Sequence, residues 1–426
     1  MGRLSGLPIG QLRQEAPVTV SDMPTYEQAR RLILENITPL GLEFVPVIDA
    51  LGRVTAENIV APWNLPLCEN SAMDGYAVRA ADCRKIVGLR VTGYVPAGSL
   101  AVIPVEDGCA IKVMTGAPVP SGADTVVPVE EVEERDGEIW INTPVREHQH
   151  IRFAGEDVRC GENIIPSGTV IRTPEISMMV SCGRAAVAVH RRPRVAILST
   201  GDELIGVGEV PVPGKVVDSN GLSLAAAVQE CGAVPVVLGI ARDTRASHLE
   251  KMTQGFTMDL LITSAGVSVG ERDFVREVLA ELGVQEVFSR VEMSPGAPTT
   301  FGLRNRQPVF SLPGNPVASL IVFEEFVKPA LLRLMGHRRV LKPFLRANLQ
   351  DPVRKRLGKV KFLRVRLESR DGKMLAFSAG DQNTGMLKTM LLADGIAVLP
   401  ADRSSFSPGD EIDVHLISAT SEMLEA

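Results

Sequence analysis

The sequence has few aromatic residues, no CxxC pair of cysteines and no long apolar segment. Only 4% of the residues are aromatic, which disfavours a protein that binds nucleic acid by stacking bases on its side chains. No apolar run approaches the ~20 residues that a membrane-spanning helix requires. No apolar segment follows Arg3 and Arg13 within the first 15 residues. We therefore expect neither a membrane anchor nor a secretory signal.

The cysteines do not form a recognisable framework. None belongs to a CxxC pair, and none has the spacing of a zinc site. We therefore expect buried thiols in a reducing compartment, which predicts a cytoplasmic protein. The six positions are Cys68, Cys83, Cys109, Cys160, Cys182 and Cys231.

What the sequence does contain is typical of a globular protein of several domains. It has 426 residues, of which 45% are hydrophobic and 23% charged, and this length is too great for one ordinary domain. The net charge is −6, yet residues 338–373 hold 13 Lys and Arg against three acidic residues. Such a basic segment can bind a phosphorylated ligand or an acidic partner. A solvated basic β-surface is the alternative.

The apolar pattern changes along the chain. Residues 26–36 have the spacing of an amphipathic helix, whereas 70–144 alternate short Val- and Ile-rich runs with turns, as in an all-β module. From residue 194 strands alternate with helices, which predicts a mostly parallel sheet with right-handed crossovers. After residue 342 short strands return. The predicted strands of the sheet are 195–198, 235–240, 260–263 and 309–312, and the helices are 222–231, 246–254, 274–282 and 317–335.

The most informative segment is the turn that follows the last of these strands, Pro313-Gly314-Asn315-Pro316. It leads directly into an apolar helix. We expect Asn315 to cap that helix and Pro316 to occupy its first position, where a missing N–H is tolerated. Backbone N–H groups left free at this point suit an anion.

The other predicted strands also end in polar loops. These are residues 199–203 (S-T-G-D-E), 242–244 (R-D-T) and 264–270 (S-A-G-V-S-V-G). Since ligands bind outside the carboxyl ends of parallel strands, we expect all four loops to share one site. Gly266 and Gly270 would let backbone amides approach a phosphate closely.

Acidic residues are concentrated at the same predicted edge. Carboxylates beside an anion repel it unless a divalent cation bridges them, so the combination predicts Mg²⁺ with a phosphorylated substrate. For Asp218 and Asp243, which each precede a predicted helix, capping is the alternative. The full set is Asp202, Glu203, Asp218, Asp243 and Asp273.

Six motifs in a fixed order identify a resemblance. They are N-S-A-M-D-G-Y-A-V at 70–78, M-T-G-A-P-V-P at 114–120, G-E-D at 155–157, S-T-G-D-E-L at 199–204, G-V-S-V-G at 266–270 and L-P-G-N-P-V-A-S at 312–319. Over about residues 22–417 the chain resembles the molybdopterin molybdenumtransferase (molybdenum insertase) family, which includes the C-terminal domain of gephyrin.

The resemblance implies an α/β plus β fold of several domains. A linker domain (22–69 and 148–190) would surround an inserted β-domain (70–147). A parallel-sheet α/β molybdopterin-binding domain (191–337) and a C-terminal β-barrel (338–426) would follow. The family also implies a homodimer with each active site between subunits.

The implied activity is the last metal-insertion step of molybdenum cofactor biosynthesis. The enzyme would take adenylyl-molybdopterin and molybdate, or tungstate, release AMP and leave molybdenum on the dithiolene, assisted by Mg²⁺. Molybdopterin adenylyltransferase would be a candidate partner; nucleic acid and membranes would not. By family position the catalytic residues would be Asp74, Thr115, Glu203, Asp243 and Asp273, and the metal ligands Glu203, Asp243 and Asp157. The substrate-binding residues would be Ser199, Gly201, Asp202, Gly266, Ser268, Gly270, Ser294, Pro313, Gly314, Asn315, Pro316 and Lys388.

One departure from the family pattern is large. Where the family usually has K-P-G-K-P, residues 294–298 read S-P-G-A-P. Two charge-assisted bonds to an oxyanion, each worth roughly 1.5–3 kcal/mol, are thereby missing. Lys359, Arg364 or Lys388 could supply the charge. Ala265 also stands where the family usually has glycine.

Two alternatives to an active insertase stay open from the sequence. The missing lysines suit a family member that has lost catalysis and serves as a dimeric scaffold. The α/β region alone would also suit a molybdopterin adenylyltransferase, although that enzyme lacks the β-modules and their Asp74 and Thr115 motifs.

Overall fold

A computed structural model describes residues 23–84, 88–265 and 274–417. They form two compact units, one made of the chain up to Glu43 and from His190 onward, the other of Phe44–Val189. None of the helices in these described ranges has the length and hydropathy needed to cross a membrane.

The first unit is built around a six-stranded sheet. Its first four strands are parallel, as the alternation predicts, and the last two run antiparallel. These two antiparallel strands were not predicted. In spatial order the strands are Val234–Ala241, Arg194–Thr200, Leu260–Ser264, Gln307–Leu312, Thr300–Arg304 and Gln285–Phe288.

Helices cover both faces of this sheet, because its strands are apolar on both sides. Ile197 and Phe310 pack with Leu224 on one face, and Leu198 packs with Met252 on the other. The helices are Asn220–Glu230, Arg245–Gly255, Phe274–Glu281, Pro316–Val322 and Lys328–Leu334. The connecting β-strands Leu204–Ile205 and Val216–Val217 are short.

The helix predicted over 317–335 is confirmed, since the chain is helical without a break over residues 316–334. Its middle, Phe323–Val327, is a π-helical segment that was not predicted. Pro329, two residues further on, has no N–H to bond to the carbonyl four residues earlier, which loosens the helix at this point.

The helix predicted over 26–36 is confirmed as Tyr26–Glu35. It begins with a capping box in which the Gln28 N–H donates to Thr25 Oγ1 (3.2 Å) and the Thr25 N–H to Gln28 Oε1 (3.0 Å). Its buried residues Tyr26 and Ile33 join the main core of the first unit.

The C-terminal part of the first unit is a closed five-stranded barrel. Its interior is filled by small and branched side chains such as Ala347, Val365 and Val414. A short strand of the α/β part, Met293–Ser294, pairs in parallel with the second barrel strand. The barrel strands are Phe344–Leu349, Val360–Arg370, Lys373–Ser378, Gly395–Leu399 and Glu411–Leu416; Val353–Arg354, Ser405–Phe406 and helix Lys388–Leu391 lie outside them.

The second unit contains the predicted all-β module. Its six-stranded sheet has the spatial order Thr125–Pro128, Gly75–Val78, Cys109–Val113, Gly88–Val95, Glu138–Ile141 and Val132–Arg135. The remaining elements are helix Thr173–Ser181, 3₁₀ segments at Val47–Ala50, Ala80–Arg84 and Val129–Glu131, and short strands at Ile59–Val60, Asn70–Ser71, Ile151–Arg152 and Asn163–Ile165. Two further strands, Leu42–Pro46 and Ala186–His190, begin or end just outside this unit.

The cysteines are not uniformly buried. Cys109 and Cys182 are buried, but Cys68 and Cys160 are exposed, so the expectation of buried thiols was wrong for the latter two. Both lie in loops between short strands.

Candidate functional site

A cavity of about 650 Å³ opens at the carboxyl ends of three central strands. The wall includes Glu203, from the loop after strand Arg194–Thr200, and residues 313–316, from the turn after strand Gln307–Leu312. Ser264, the last residue of strand Leu260–Ser264, and Ala265 directly after it also line the cavity. The start of helix Asn220–Glu230 completes the wall. Three of the four predicted loops therefore converge on one pocket.

The remaining predicted loop, 242–244, does not line the cavity but contacts the loop that carries Glu203. Arg242 Nη1 donates to the carbonyl of Leu204 at 2.8 Å. The backbone N–H groups of Asp202 and Asp243 each donate to the other's carboxylate, at 3.3 and 3.1 Å. Asp243 thus holds the loop that carries Glu203 and does not line the pocket itself.

Glu203 has its position because of a glycine. Gly201 has φ +138°, and a Cβ there would lie 2.2 Å from Glu203 Oε2. The loop therefore folds the carboxylate back over Gly201, which only glycine permits. Ser199, at the end of the preceding strand, is buried beneath the loop.

The third loop turns sharply at Ala265. Its φ of +73° lies in the left-handed region, and its N–H donates to the carbonyl of Leu312 at 3.1 Å. Four predicted site residues that follow it fall outside the described residues: Gly266, Ser268, Gly270 and Asp273.

The turn at 313–316 differs from the prediction in one respect. Pro316 does begin the helix, but the Asn315 side chain makes no cap hydrogen bond. Asn315 Nδ2 instead donates to Thr384 Oγ1 of the barrel at 3.1 Å. The expectation of an Asn315 cap was wrong, because the barrel loop offers this amide an acceptor that the local sequence could not reveal.

Several residues of the cavity were missed by the sequence analysis, among them Asn220 and Arg290. Asn220 Nδ2 donates to Ser264 Oγ (2.7 Å) and to the carbonyl of Gly314 (2.8 Å). Its place at the start of a helix was the one available signal, and capping explains such a position equally well. Arg290 has an exposed side chain in a loop without a motif.

A second cavity, of about 450 Å³, shares Pro298, Pro313 and Asn315 with the first. One side is the S-P-G-A-P loop at 294–298, and the other is the barrel. No carboxylate is among the described residues that line it. Its four cationic lining residues are Lys355, Arg356, Lys359 and Lys361.

Strand pairing brings these cations to the loop. Ser294 pairs in register with Lys361, so the basic barrel strand runs alongside the segment that lacks the family's lysines. Lys355 Nζ donates to the carbonyl of Lys359 at 2.9 Å, and burial lowers the pKa of Lys355.

The three cations suggested by the sequence have different places. Lys359 lines the second cavity. Arg364 is fully buried, and its Nη2 donates to the carbonyls of Asp381 (2.9 Å) and Asn383 (3.2 Å). Lys388 lines neither cavity.

In the second unit the structure joins two predicted site residues directly. Asp74 Oδ1 accepts hydrogen bonds from the backbone N–H and the hydroxyl of Thr115, both at 2.7 Å. These bonds lower the pKa of Asp74, so the carboxylate is charged at neutral pH. Asp157 lines a separate polar cavity with Asn70 and Arg152.

Three family models match the chain in sequence order. They are described as "MoeA N-terminal region (domain I and II)" over residues 24–183, "Probable molybdopterin binding domain" over 196–333 and "MoeA C-terminal region (domain IV)" over 346–417.

Known proteins are similar over nearly the whole chain. The molybdopterin molybdenumtransferase of Haemophilus influenzae is 32% identical, covering 92% of this chain and 98% of its own. Molybdopterin molybdenumtransferase 2 of Mycobacterium tuberculosis is 33% identical, covering 92% and 99%. The crystal structure of the molybdopterin biosynthesis MoeA protein of Pyrococcus horikoshii superposes with a TM-score of 0.82 at 30% identity, covering 93% and 100%. The chain belongs to the molybdopterin molybdenumtransferase (MoeA) family.

Proposed function

We propose that this protein acts in molybdenum cofactor biosynthesis as a transferase that adds molybdenum from molybdate to molybdopterin. The observation that carries the proposal is the shared wall of the two cavities. One cavity offers carboxylates and polar loop ends, and its neighbour offers four cations at a loop without acidic residues. Such a pair suits a phosphorylated organic substrate next to an inorganic oxyanion.

The first cavity suits the pterin and its phosphate. The polar ends of three strands and the Arg290 guanidinium can donate to phosphate oxygens. We further propose that the substrate is adenylyl-molybdopterin. A water oxygen would attack one phosphorus of its pyrophosphate, and the bond from that phosphorus to the bridging oxygen would break, which yields AMP and molybdopterin. Glu203 would orient the attacking water.

Mg²⁺ fits this cavity only together with the substrate. Glu203 and Asp218 both line it, but the described residues contain no group of three or more His, Cys, Asp or Glu able to hold a metal. Mg²⁺ is usually held by one or two carboxylates plus substrate phosphates. When bound, it would neutralise phosphate charge during the cleavage.

The second cavity suits molybdate. Lys359 and Lys361 are half-buried and face the loop that contains Ser294 and Ala297. The barrel would thus supply the positive charge that the loop lacks. The scaffold alternative was motivated by that lack, and no separate observation favours it.

The test is release of AMP from adenylyl-molybdopterin with molybdate and Mg²⁺. In a Lys359→Ala, Lys361→Ala double variant we expect KM for molybdate to rise about a hundredfold, because two charge-assisted bonds are lost. KM for adenylyl-molybdopterin should change little. Added salt should raise KM for molybdate in the parent more than in the variant.

Lys373→Ala is the matched control, since Lys373 is an exposed barrel cation outside both cavities. An unchanged KM for molybdate in the double variant would refute the assignment of the second cavity. A parent protein that releases no AMP would refute the proposed function. The homodimer and the molybdopterin adenylyltransferase partner are proposals from the family resemblance, and the cytoplasmic location is a proposal from the cysteine pattern.

A further inference from the structure

We propose that Asn220 is a positioning residue for the first cavity: its side-chain amide ties together two of the three loops that form the pocket. The inference rests on the proposed function, because it assigns that pocket to the molybdopterin part of the substrate. No family motif quoted above includes Asn220.

The geometry of the amide is specific. Asn220 is 7% exposed. Its Nδ2 donates to Ser264 Oγ at 2.7 Å and to the carbonyl of Gly314 at 2.8 Å. Ser264 ends the third strand, and Gly314 lies in the turn after the fourth. Both N–H donors of one amide are therefore used to join two loops that are 50 residues apart in sequence.

The orientation of the amide is fixed by its partners. If its oxygen and nitrogen were exchanged, Oδ1 would face the carbonyl of Gly314, and two acceptors would be in contact. In the observed orientation Oδ1 has no hydrogen-bond partner among the described residues. Among the described residues, the hydrogen bonds to Ser264 and Gly314 are therefore the only ones that orient this amide.

Helix capping does not explain Asn220. The N–H of Gly221, in the first turn of this helix, donates to Asp218 Oδ1 at 3.0 Å. Asp218 therefore performs the capping that the sequence allowed for it. The Asn220 side chain points to the loops and makes no bond to its own helix.

The two loops are in contact, so their spacing matters. The N–H of Ala265 donates to the carbonyl of Leu312, and a Cβ built on Gly314 would lie 3.1 Å from Ala265 Cβ. Residues 264–265 and 313–316 both line the pocket. A change in their spacing would therefore move the groups proposed to contact the pterin phosphate, while the four barrel cations of the second cavity stay in place.

The test uses the full chain with Asn220→Ala and Asn220→Asp. We expect each variant to bind molybdopterin about tenfold more weakly, because two hydrogen bonds that hold the pocket are lost. KM for adenylyl-molybdopterin should rise by a similar factor, whereas KM for molybdate should rise much less, because the four cations of the second cavity lie on the barrel. A general loss of folding would affect both KM values or the fraction of active protein.

The aspartate variant adds a pH signature. Its ionised carboxylate cannot donate and repels the Gly314 carbonyl, but the protonated acid has one O–H donor. At roughly pH 5.5 we expect its affinity, relative to the parent at the same pH, to recover in part, since burial raises such a carboxyl pKa. Asn220→Ala should show no recovery.

Asn348→Asp is the matched control. Asn348 Nδ2 donates to the carbonyl of Gly409 at 3.1 Å, a similar link within the barrel, so its loss should leave molybdopterin affinity unchanged. Hydrogen exchange gives a readout without ligand: both Asn220 variants should exchange faster at Ala265 and Ser319, whose N–H groups donate to the carbonyls of Leu312 and Asn315. Parental affinity or parental exchange in the Asn220 variants would overturn the inference. A parent that fails to bind molybdopterin would instead overturn the proposed function.

Discussion

Ala265 has a left-handed backbone conformation that is unfavourable for a residue with a Cβ atom. A φ of +73° brings Cβ close to the backbone and costs roughly 1 kcal/mol for a residue other than glycine. The bond from its N–H to Leu312 and the contact with Gly314 keep the loop in this conformation. The family's usual glycine at this position would adopt it without strain.

We therefore expect Ala265→Gly to raise the free energy of unfolding by about 0.5–1 kcal/mol, measured by urea denaturation. Ala226→Gly is the control. Ala226 is exposed in the middle of the helix Asn220–Glu230, where the same change should lower stability by about 1 kcal/mol. If both substitutions destabilise the protein equally, the strain at Ala265 is absent.

The residues of the site were only partly predictable from the sequence. Asp74 and Thr115 were identified through motifs, and their direct hydrogen bond spans 41 positions. Asn220 was missed because its partners, Ser264 and Gly314, become neighbours only when three strands line up. A side chain that acts on distant loops leaves no local pattern.

At the scale of elements, a buried carboxylate joins three of them. Glu325, in the π-helical segment, accepts from the hydroxyl of Tyr26 at 2.5 Å and lies 2.9 Å from His415 Nδ1 of the last barrel strand. Burial acts to raise the pKa of Glu325, but the hydrogen bond and charge of His415, the Tyr26 hydroxyl and the charge of Lys342 outweigh it and lower that pKa.

This network should make stability depend on acid. Because the folded pKa of Glu325 is depressed, its contribution is complete above the unfolded value of about 4.5 and is lost as pH falls through the folded pKa. At pH 7 we expect Glu325→Gln to lower the free energy of unfolding by about 3 kcal/mol. The variant should lose less stability than the parent when urea titrations are repeated below about pH 4.5.

Glu411→Gln provides the comparison, since Glu411 pairs with Arg346 at an exposed position of the barrel. Its effect at pH 7 should stay within about 1 kcal/mol. Parallel acid profiles for the parent and Glu325→Gln would contradict the role given to Glu325.

The elements of the α/β part were largely predictable because periodicity and loop residues agreed there. Each of the four parallel strands was predicted within three residues at either end, as with 195–198 for Arg194–Thr200. The antiparallel strands Thr300–Arg304 and Gln285–Phe288 were missed, since strands of only four or five residues carry little pattern. The pairing of Met293–Ser294 with the barrel could not be predicted, because register between distant segments is a tertiary property.

At the scale of the whole molecule, the second unit is an insertion in the chain of the first. It has its own apolar clusters, around Ile59 and Val187 and around Val126 and Ile139. In the first unit, the segment just before the insertion lies next to the segment just after it, because the N–H of Arg191 donates to the carbonyl of Gly41 at 2.9 Å. Removal of the insertion therefore leaves two ends that can be joined without stretching the backbone.

We expect a protein in which Phe44–Val189 is deleted, with Glu43 joined to His190, to fold and to unfold cooperatively on heating, as followed by circular dichroism. It retains both cavities of the first unit and should bind molybdopterin and molybdate, measured by equilibrium dialysis. It lacks Asp74, Thr115 and Asp157, to which the family resemblance assigns parts in the reaction, so we expect AMP release to fall below detection. The excised 44–189 segment, which has its own cores, is the companion control and should fold without binding either ligand. Release of AMP by the deletion protein would mean that the second unit's carboxylates have no part in the chemistry, whereas loss of binding despite folding would mean that the pterin pocket needs more than the loops of the first unit.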